Sequence, residues 1–203
     1  QGIGESYMSI IVIGSANMDL VMRTERMPQI GETIRGGGFF LSPGGKGANQ
    51  AVACAKMGTD TRMLGKVGDD LFGQSLLGSL QSFGVRTDLM AKEPNVTTGV
   101  ASITVCEGNN CIILDGGAND KVTPEYIASF KDELLRASAI MLQLEIPMES
   151  VYAAVELVKG KVPIFLNPAP AVPIDDAILR GVDYFTPNEI ECRLYANREV
   201  RSP

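Results

Sequence analysis

Three polar clusters in this sequence carry residue types suited to hydroxyl or phosphate chemistry. The densest is Pro43-Gly44-Gly45-Lys46-Gly47-Ala48-Asn49, which runs into an Ala-rich, helix-patterned stretch. Glycines let backbone N–H groups approach a ligand closely, and a helix N-terminus favours anionic or oxygen-rich groups. The spacing is not that of a P-loop: Lys46 is followed by Gly47 rather than Ser or Thr, and Phe40 stands where the motif needs its first glycine. No strand carries GxGxxG either. A tight turn into a helix with a solvated lysine accounts for the same residues equally well.

The second cluster is Gly14-Ser15-Ala16-Asn17-Met18-Asp19, after a β-branched run. A carboxylate beyond the C-terminal end of a parallel strand sits where such sheets bind ligands. Ionised Asp only accepts hydrogen bonds and can take two hydroxyl hydrogens, as a vicinal diol requires. An Asx turn or a helix cap would use Asn17 and Asp19 as well. The third group comprises Glu145 after the apolar run AIMLQL, Asn167-Pro168-Ala169-Pro170 after another, and Asn188-Glu189-Ile190-Glu191. Glu145 is either functional or the first solvated residue of a loop. The acidic residues at 189 and 191 suit a helix dipole with no ligand.

Composition narrows the chemistry. The 203 residues include no His, which excludes Ser-His-Asp and Cys-His nucleophile systems and His-ligated zinc. Proton transfer falls to carboxylates, Lys, Tyr or Cys. A net charge of −6 argues against a general nucleic-acid binder. No apolar run approaches the ~18 residues that cross a bilayer. Residues 1–8 read as a polar leader, and Ile10 to Ile13 is too short for a signal-peptide core. Cys54, Cys106, Cys111 and Cys192 contain no CxxC pair, so reduced thiols in a cytoplasmic protein are expected. Cys106 and Cys111 flank a turn-like Glu107-Gly108-Asn109-Asn110 and could face each other across a hairpin.

These residues need a scaffold, and apolar runs alternating with helical patterns supply one. Strands are expected at Ser9 to Gly14, Thr61 to Val67, Ala139 to Leu144, Val162 to Leu166 and Asp183 to Thr186. Helices are expected at Gly47 to Met57 with Gly58 closing, from a cap at Asp70 to Phe83, and from Thr123-Pro124 to about Ala137. Met148 to Lys159, Asp175 to Arg180 and Asn188 onward complete the set. The alternation implies parallel βαβ units covered on both faces. Leu20 to Ser42 and Thr98 to Asp115 break the rhythm; the second reads as a hairpin of Ala101 to Cys106 with Cys111 to Leu114. Two β excursions from an α/β body suggest a small lid sheet.

Taken together, the segments resemble the ribokinase family of carbohydrate kinases from about Ile10 to Leu194. The most specific part is Gly44-Gly45-Lys46-Gly47-Ala48-Asn49-Gln50-Ala51, continued by Gly58 and Gly68-Asp69-Asp70. Supporting matches are Asn17-Met18-Asp19, Gly31-Glu32-Thr33, Thr98-Gly99-Val100-Ala101, Gly117-Ala118-Asn119, Gln143-Leu144-Glu145, Asn167-Pro168-Ala169-Pro170 and Thr186-Pro187-Asn188-Glu189.

The resemblance implies a three-layer α/β sandwich over residues 9–203, with lid segments at about 20–42 and 98–115 and homodimers joined through the lid. It implies transfer of the ATP γ-phosphoryl group to the O5 hydroxyl of ribose, or to another sugar or a nucleoside. Asn17, Met18, Asp19, Gly45, Lys46, Gly47, Ala48, Asn49 and Glu145 would form the sugar side. Asn188 would lie near the nucleotide phosphates, and Glu191 would hold Mg²⁺ through water. A Gly-Ala-Gly-Asp turn carrying the catalytic base does not occur in these residues. The base, the adenine pocket and a monovalent-cation (K⁺) site are therefore expected beyond Pro203, with this chain resembling the first two-thirds of a sugar kinase and inactive alone. A short, non-catalytic sugar-binding protein is the contrasting expectation.

Overall fold

The computed structural model describes residues 9–196; the leader read at residues 1–8 lies outside them. The apolar runs form a six-stranded sheet in the order β10-β9-β8-β1-β4-β5, and every pairing in it is parallel. Its strands are β1 (Ser9–Ile13), β4 (Asp60–Gly68), β5 (Arg86–Glu93), β8 (Ala139–Leu142), β9 (Ile164–Leu166) and β10 (Tyr184–Phe185). A second sheet, in the order β3-β2-β6-β7, is built from β2 (Asn17–Arg23), β3 (Gly37–Gly44), β6 (Gly99–Cys106) and β7 (Asn109–Asp115).

Alternation along β1 explains the layering. Ile11 and Ile13 enter one core with Leu64, Ile140 and Leu142, under α3 (Pro124–Ala128), α4 (Lys131–Arg136), α5 (Met148–Val158) and α6 (Asp176–Leu179). Val12 points the other way, joining Met63 of β4 and Ala48, Ala51, Leu76 and Leu80 from α1 (Lys46–Lys56) and α2 (Leu71–Ser82). Both sheet faces are therefore covered, as parallel pairing demands. On α5 the buried Val151, Ala154, Val155 and Val158 recur at helical spacing. A last helix, α7 (Glu189–Ala196), follows β10. No helix of the described residues is long and apolar enough to cross a membrane.

Local signals placed several ends correctly. Asp70 caps α2 by accepting from Gly73 N at 2.8 Å, and Gly58 and Gly84 close α1 and α2 with positive φ. The 99–115 hairpin turns on Glu107 and Gly108, both at positive φ, the pairing a two-residue turn favours. Cys111 is exposed and stands opposite Thr104, while Cys106 is buried; all four thiols are free.

Three expectations are corrected and one strand, β5, is added. The helix expected from Thr123 to Ala137 breaks at Ser129-Phe130, where Phe130 turns its ring edge-on to Tyr126 at 5.2 Å against the core. Strand β5 has no apolar alternation to show it, because its charged residues pair across to β4, as in Arg62–Asp88 and Lys66–Glu93. The strand expected to reach Leu144 leaves the ladder after Leu142. Most consequentially, β2 starts at Asn17 and β3 runs to Gly44, so Asn17 and Asp19 stand inside a strand rather than in a turn.

The layering makes a stability prediction. Ile140→Ala, at a fully buried position, should cost about 2–5 kcal/mol in denaturant unfolding. Ile30→Ala, at a fully exposed side chain in the loop before β3, should change stability by less than about 0.5 kcal/mol.

Candidate functional site

The site forms where β1 and β8 end, α1 begins and the second sheet leaves the body. Its centre is the Glu145 carboxylate. Oε2 accepts from Ser15 Oγ at 2.6 Å and from Lys46 N, the first helical amide of α1, at 3.0 Å. Oε1 lies 3.9 Å from Lys46 Nζ. Ser15, fully buried, takes the next two amides: Ala48 N donates to its carbonyl at 2.9 Å and Gly47 N makes a long 3.4 Å contact to its hydroxyl. Asn49 N closes onto Gly45 O at 2.9 Å.

This changes the reading of the glycine turn. An open helix N-terminus with free amides was expected, but an internal carboxylate and Ser15 already satisfy them. Gly47 and Ala48 therefore present no free N–H to a ligand, and Ala48 belongs to the core. What requires glycine here is close packing. Gly45 has φ 93°, and a Cβ on it would stand 2.8 Å from Asn17 N. A Cβ on Gly47 would stand 2.6 Å from Ser15 N.

Asp19 sits one strand over. Its side chain covers Gly44, where an added Cβ would fall 2.8 Å from the carboxyl carbon. Among the described residues no hydrogen bond reaches its carboxylate, and it is half-buried. Burial, reinforced by the negative charge of Glu145, raises its pKa above the ordinary aspartate value. Two residues away, Asn17 is 3% exposed and its Oδ1 accepts from Asn119 Nδ2 at 2.7 Å. Asn119 Oδ1 in turn accepts from Ala16 N at 2.9 Å, which leaves the Asn17 amide nitrogen to donate elsewhere. Met18, between them, faces the opposite way. It is 2% exposed in the core with Leu76, so its side chain does not join Asn17 and Asp19.

Strand register adds apolar surface beside the carboxylate. Ala101 is the β6 partner of Asp19, and Leu114 on β7 is the partner of Ala101. Neither was singled out from sequence, nor were Ser15 and Asn119 given roles. The partners of Asn119 lie 102 and 103 residues away, so nothing local could reveal them.

Lys46 and Asn49 reach a cleft of about 430 Å³ that they share with Gln50, Asn167, Ala169, Thr186, Pro187, Asn188 and Glu191. Residues assigned to sugar and to phosphate therefore meet at one opening. Gln50 is bonded from behind by the buried Gln143, Nε2 to Oε1 at 2.5 Å. Asn188 and Glu191 form a reciprocal cap on α7. Asn188 Oδ1 accepts from Ile190 N and Glu191 N, while Glu191 accepts from Asn188 N at 2.8 Å and from its Nδ2 at 3.0 Å. Each Glu191 oxygen thus keeps a second lone pair. No group of three or more acidic or sulfur ligands occurs among the described residues. A larger cavity of about 690 Å³ under the 24–36 loop is lined by Arg23, Arg26, Glu32 and Arg35, away from these residues.

Parallel three-layer packing, the second small sheet and this cleft define a ribokinase-like α/β protein. The chain belongs to the pfkB family of carbohydrate kinases, whose family profile matches residues 8–202. It is 42% identical to the ribokinase of Bacillus subtilis over 187 residues, covering 92% of this chain and 64% of that one. It is 41% identical to the deoxyribokinase of Salmonella typhi, covering 95% of this chain and 64% of the relative. The structure of Arabidopsis thaliana ribokinase complexed with ribose and ATP superposes with a TM-score of 0.89 at 33% identity, covering 97% of this chain and 65% of that one. The chain thus spans just under two-thirds of the length of the curated relatives it matches.

The site makes a paired prediction for Glu145→Gln. Replacing the charged acceptor at the α1 N-terminus by a neutral amide, which keeps one acceptor oxygen, should lower stability by about 1–2 kcal/mol in denaturant unfolding. Removing the neighbouring charge should also lower the Asp19 pKa, as read by NMR titration, while burial keeps it above the ordinary value. An unmoved Asp19 titration would show that the two carboxylates do not interact.

Proposed function

We propose that this chain forms the sugar-binding part of an ATP-dependent pentose kinase that transfers the γ-phosphoryl group to the O5 hydroxyl of ribose. One observation carries the reading: Asp19 is a half-buried carboxylate that accepts no hydrogen bond among the described residues, beside Asn17 and over the glycine turn. Two sugar hydroxyls would supply the missing donors. Asn17 would donate through its free amide nitrogen, and Lys46 and Asn49 would add donors from the cleft. Gly45 would let the sugar approach the backbone. Glu145 would act mainly by fixing Ser15 and Lys46.

Phosphoryl transfer depends chiefly on positioning and charge stabilisation. Asn188 and Glu191 open onto the same cleft as Lys46, which supports placing the ATP phosphates there. Glu191, with an unused lone pair on each oxygen, suits a hydrated Mg²⁺ held through its waters. That ion would supply charge neutralisation at the phosphates. We assign the O5 proton acceptor to no residue of this chain and place it, with any K⁺ site, in the part of the relatives' length that this chain does not span. The second sheet would cover the sugar and exclude water. Its exposed Phe39, Phe40, Ile112 and Ile113 support pairing of two such sheets in a homodimer. The free thiols suit a cytoplasmic setting.

The 41% identity to a deoxyribokinase favours a second reading, in which 2-deoxyribose is the better substrate. Calorimetry with ribose, 2-deoxyribose, fructose and inosine separates these. Ribose should bind most tightly, and a protein that joins this chain to the proton acceptor should phosphorylate it with ATP. Tighter deoxyribose binding would establish the second reading, and no heat with any pentose would remove both.

Asp19→Ala should abolish ribose binding with circular dichroism unchanged. In the wild type, affinity should fall as pH drops through the raised Asp19 pKa, because a protonated carboxyl no longer accepts from two hydroxyls. The fall should therefore begin at higher pH than for an ordinary aspartate. A flat affinity profile through the acidic range would contradict the assigned role.

A further inference from the structure

The lid segment that carries the sugar face is tied to the body at one point outside the cleft. Thr98, immediately before β6, is fully buried, and every polar atom of its side chain and amide is used. Its N–H donates to Asp70 Oδ2 at 2.8 Å and its hydroxyl donates to Asp70 Oδ1 at 2.6 Å. The same hydroxyl accepts from Gly68 N, at the end of β4, at 2.9 Å. Asp70 is itself the cap of α2 through Gly73 N. Four hydrogen bonds therefore join β4, α2 and β6 around two side chains.

The packing was cleared for this contact. A Cβ on Gly68 would lie 2.5 Å from Thr98 N, and one on Gly73 would lie 3.0 Å from Thr98 Oγ1. Side chains at either position would push Thr98 away from Asp70.

The consequences reach the sugar residues through strand register. Thr97 O accepts from Ala118 N at 2.8 Å, which fixes the 3₁₀ turn bearing Asn119. Gly99, next to Thr98, is the β6 partner of Asn17, and Ala101 is the partner of Asp19. In a parallel ladder, where one strand starts decides which residues stand opposite and at what height.

We propose that Asp70 and Thr98 are positioning residues for the sugar site, fixing the origin of β6 and through it the placement of Asn17 and Asp19. The proposal rests on the sugar-site reading above for its ligand, but not for its geometry. Neither residue lines the cleft that Lys46 and Asn49 reach. A purely structural role would instead weaken the whole fold and leave the folded protein's affinity unchanged.

The test compares Thr98→Ser, which keeps the hydroxyl, with Thr98→Val, which keeps the shape and removes the two hydrogen bonds of the hydroxyl while the backbone N–H bond to Asp70 remains. Each is studied at a temperature where circular dichroism shows it folded. Amide hydrogen exchange should accelerate about tenfold or more in β2 and β6 of Thr98→Val while α5 exchanges as in the wild type. Ribose affinity by calorimetry should fall about tenfold in Thr98→Val and stay near the wild-type value in Thr98→Ser. Asp70→Asn, which retains one acceptor oxygen, should shift both readouts in the same direction, and it carries the test if Thr98→Val does not fold.

Unchanged exchange in β2 and β6 overturns the proposal, as does acceleration spread equally into α5. Equal loss of ribose affinity in the serine and valine variants overturns it too. Should the wild type take up no ribose, the sugar reading fails, and the exchange measurement alone decides whether Asp70 and Thr98 hold β2 and β6 in place.

Discussion

The site is organised around a buried-side carboxylate placed against a helix N-terminus. Glu145 bonds Ser15 just beyond β1 and the first amide of α1, and the strand it follows, β8, lies beside β1 in the sheet. Two strand ends and a helix start are thereby fixed to one group. A charged acceptor at the positive end of a helix is stabilised by the dipole and by charge-assisted hydrogen bonds. Because the protein supplies this anion internally, the α1 amides are not the binding elements. They are the anchor, and the side chains of Asp19, Asn17, Lys46 and Asn49 stand around it.

That anchor has an electrostatic cost one strand away. Asp19 is half-buried near a second carboxylate, so its charged form is disfavoured. An unpartnered, destabilised acceptor is a poor choice for folding and a good one for recognising hydroxyls. This is the usual relation between stability and function at binding sites. The glycines at 44, 45 and 47 serve the same arrangement by removing side chains where Asp19, Asn17 and Ser15 crowd the turn.

Much of the scaffold was legible because it follows from local periodicity and caps. Ser9 to Gly14 announced a buried strand, Asp70 a helix start and Gly58 a helix end, and the structure has each. The kink at Phe130 was illegible, since its cause is an aromatic contact with the core. Strand β5 was illegible because an edge held by charge pairs has no apolar rhythm. At the site, residue types and motif order pointed to Asp19, Lys46, Asn49 and Glu145. Ser15 and Asn119 were hidden by partners more than 100 residues distant.

The sequence by itself determined the alternation of elements, the absence of imidazole chemistry and the set of polar residues at strand ends and helix starts. Those follow from side-chain chemistry and from spacing within a few residues. Tertiary structure alone decided which of them face one another. Placing Asn17 and Asp19 within β2 turned Met18 into the core, because adjacent side chains in a strand point to opposite faces. Closing Glu145 onto α1 filled a helix terminus that, as sequence, looked open to a ligand. Both outcomes depend on contacts between distant segments, and no local pattern of residues encodes them.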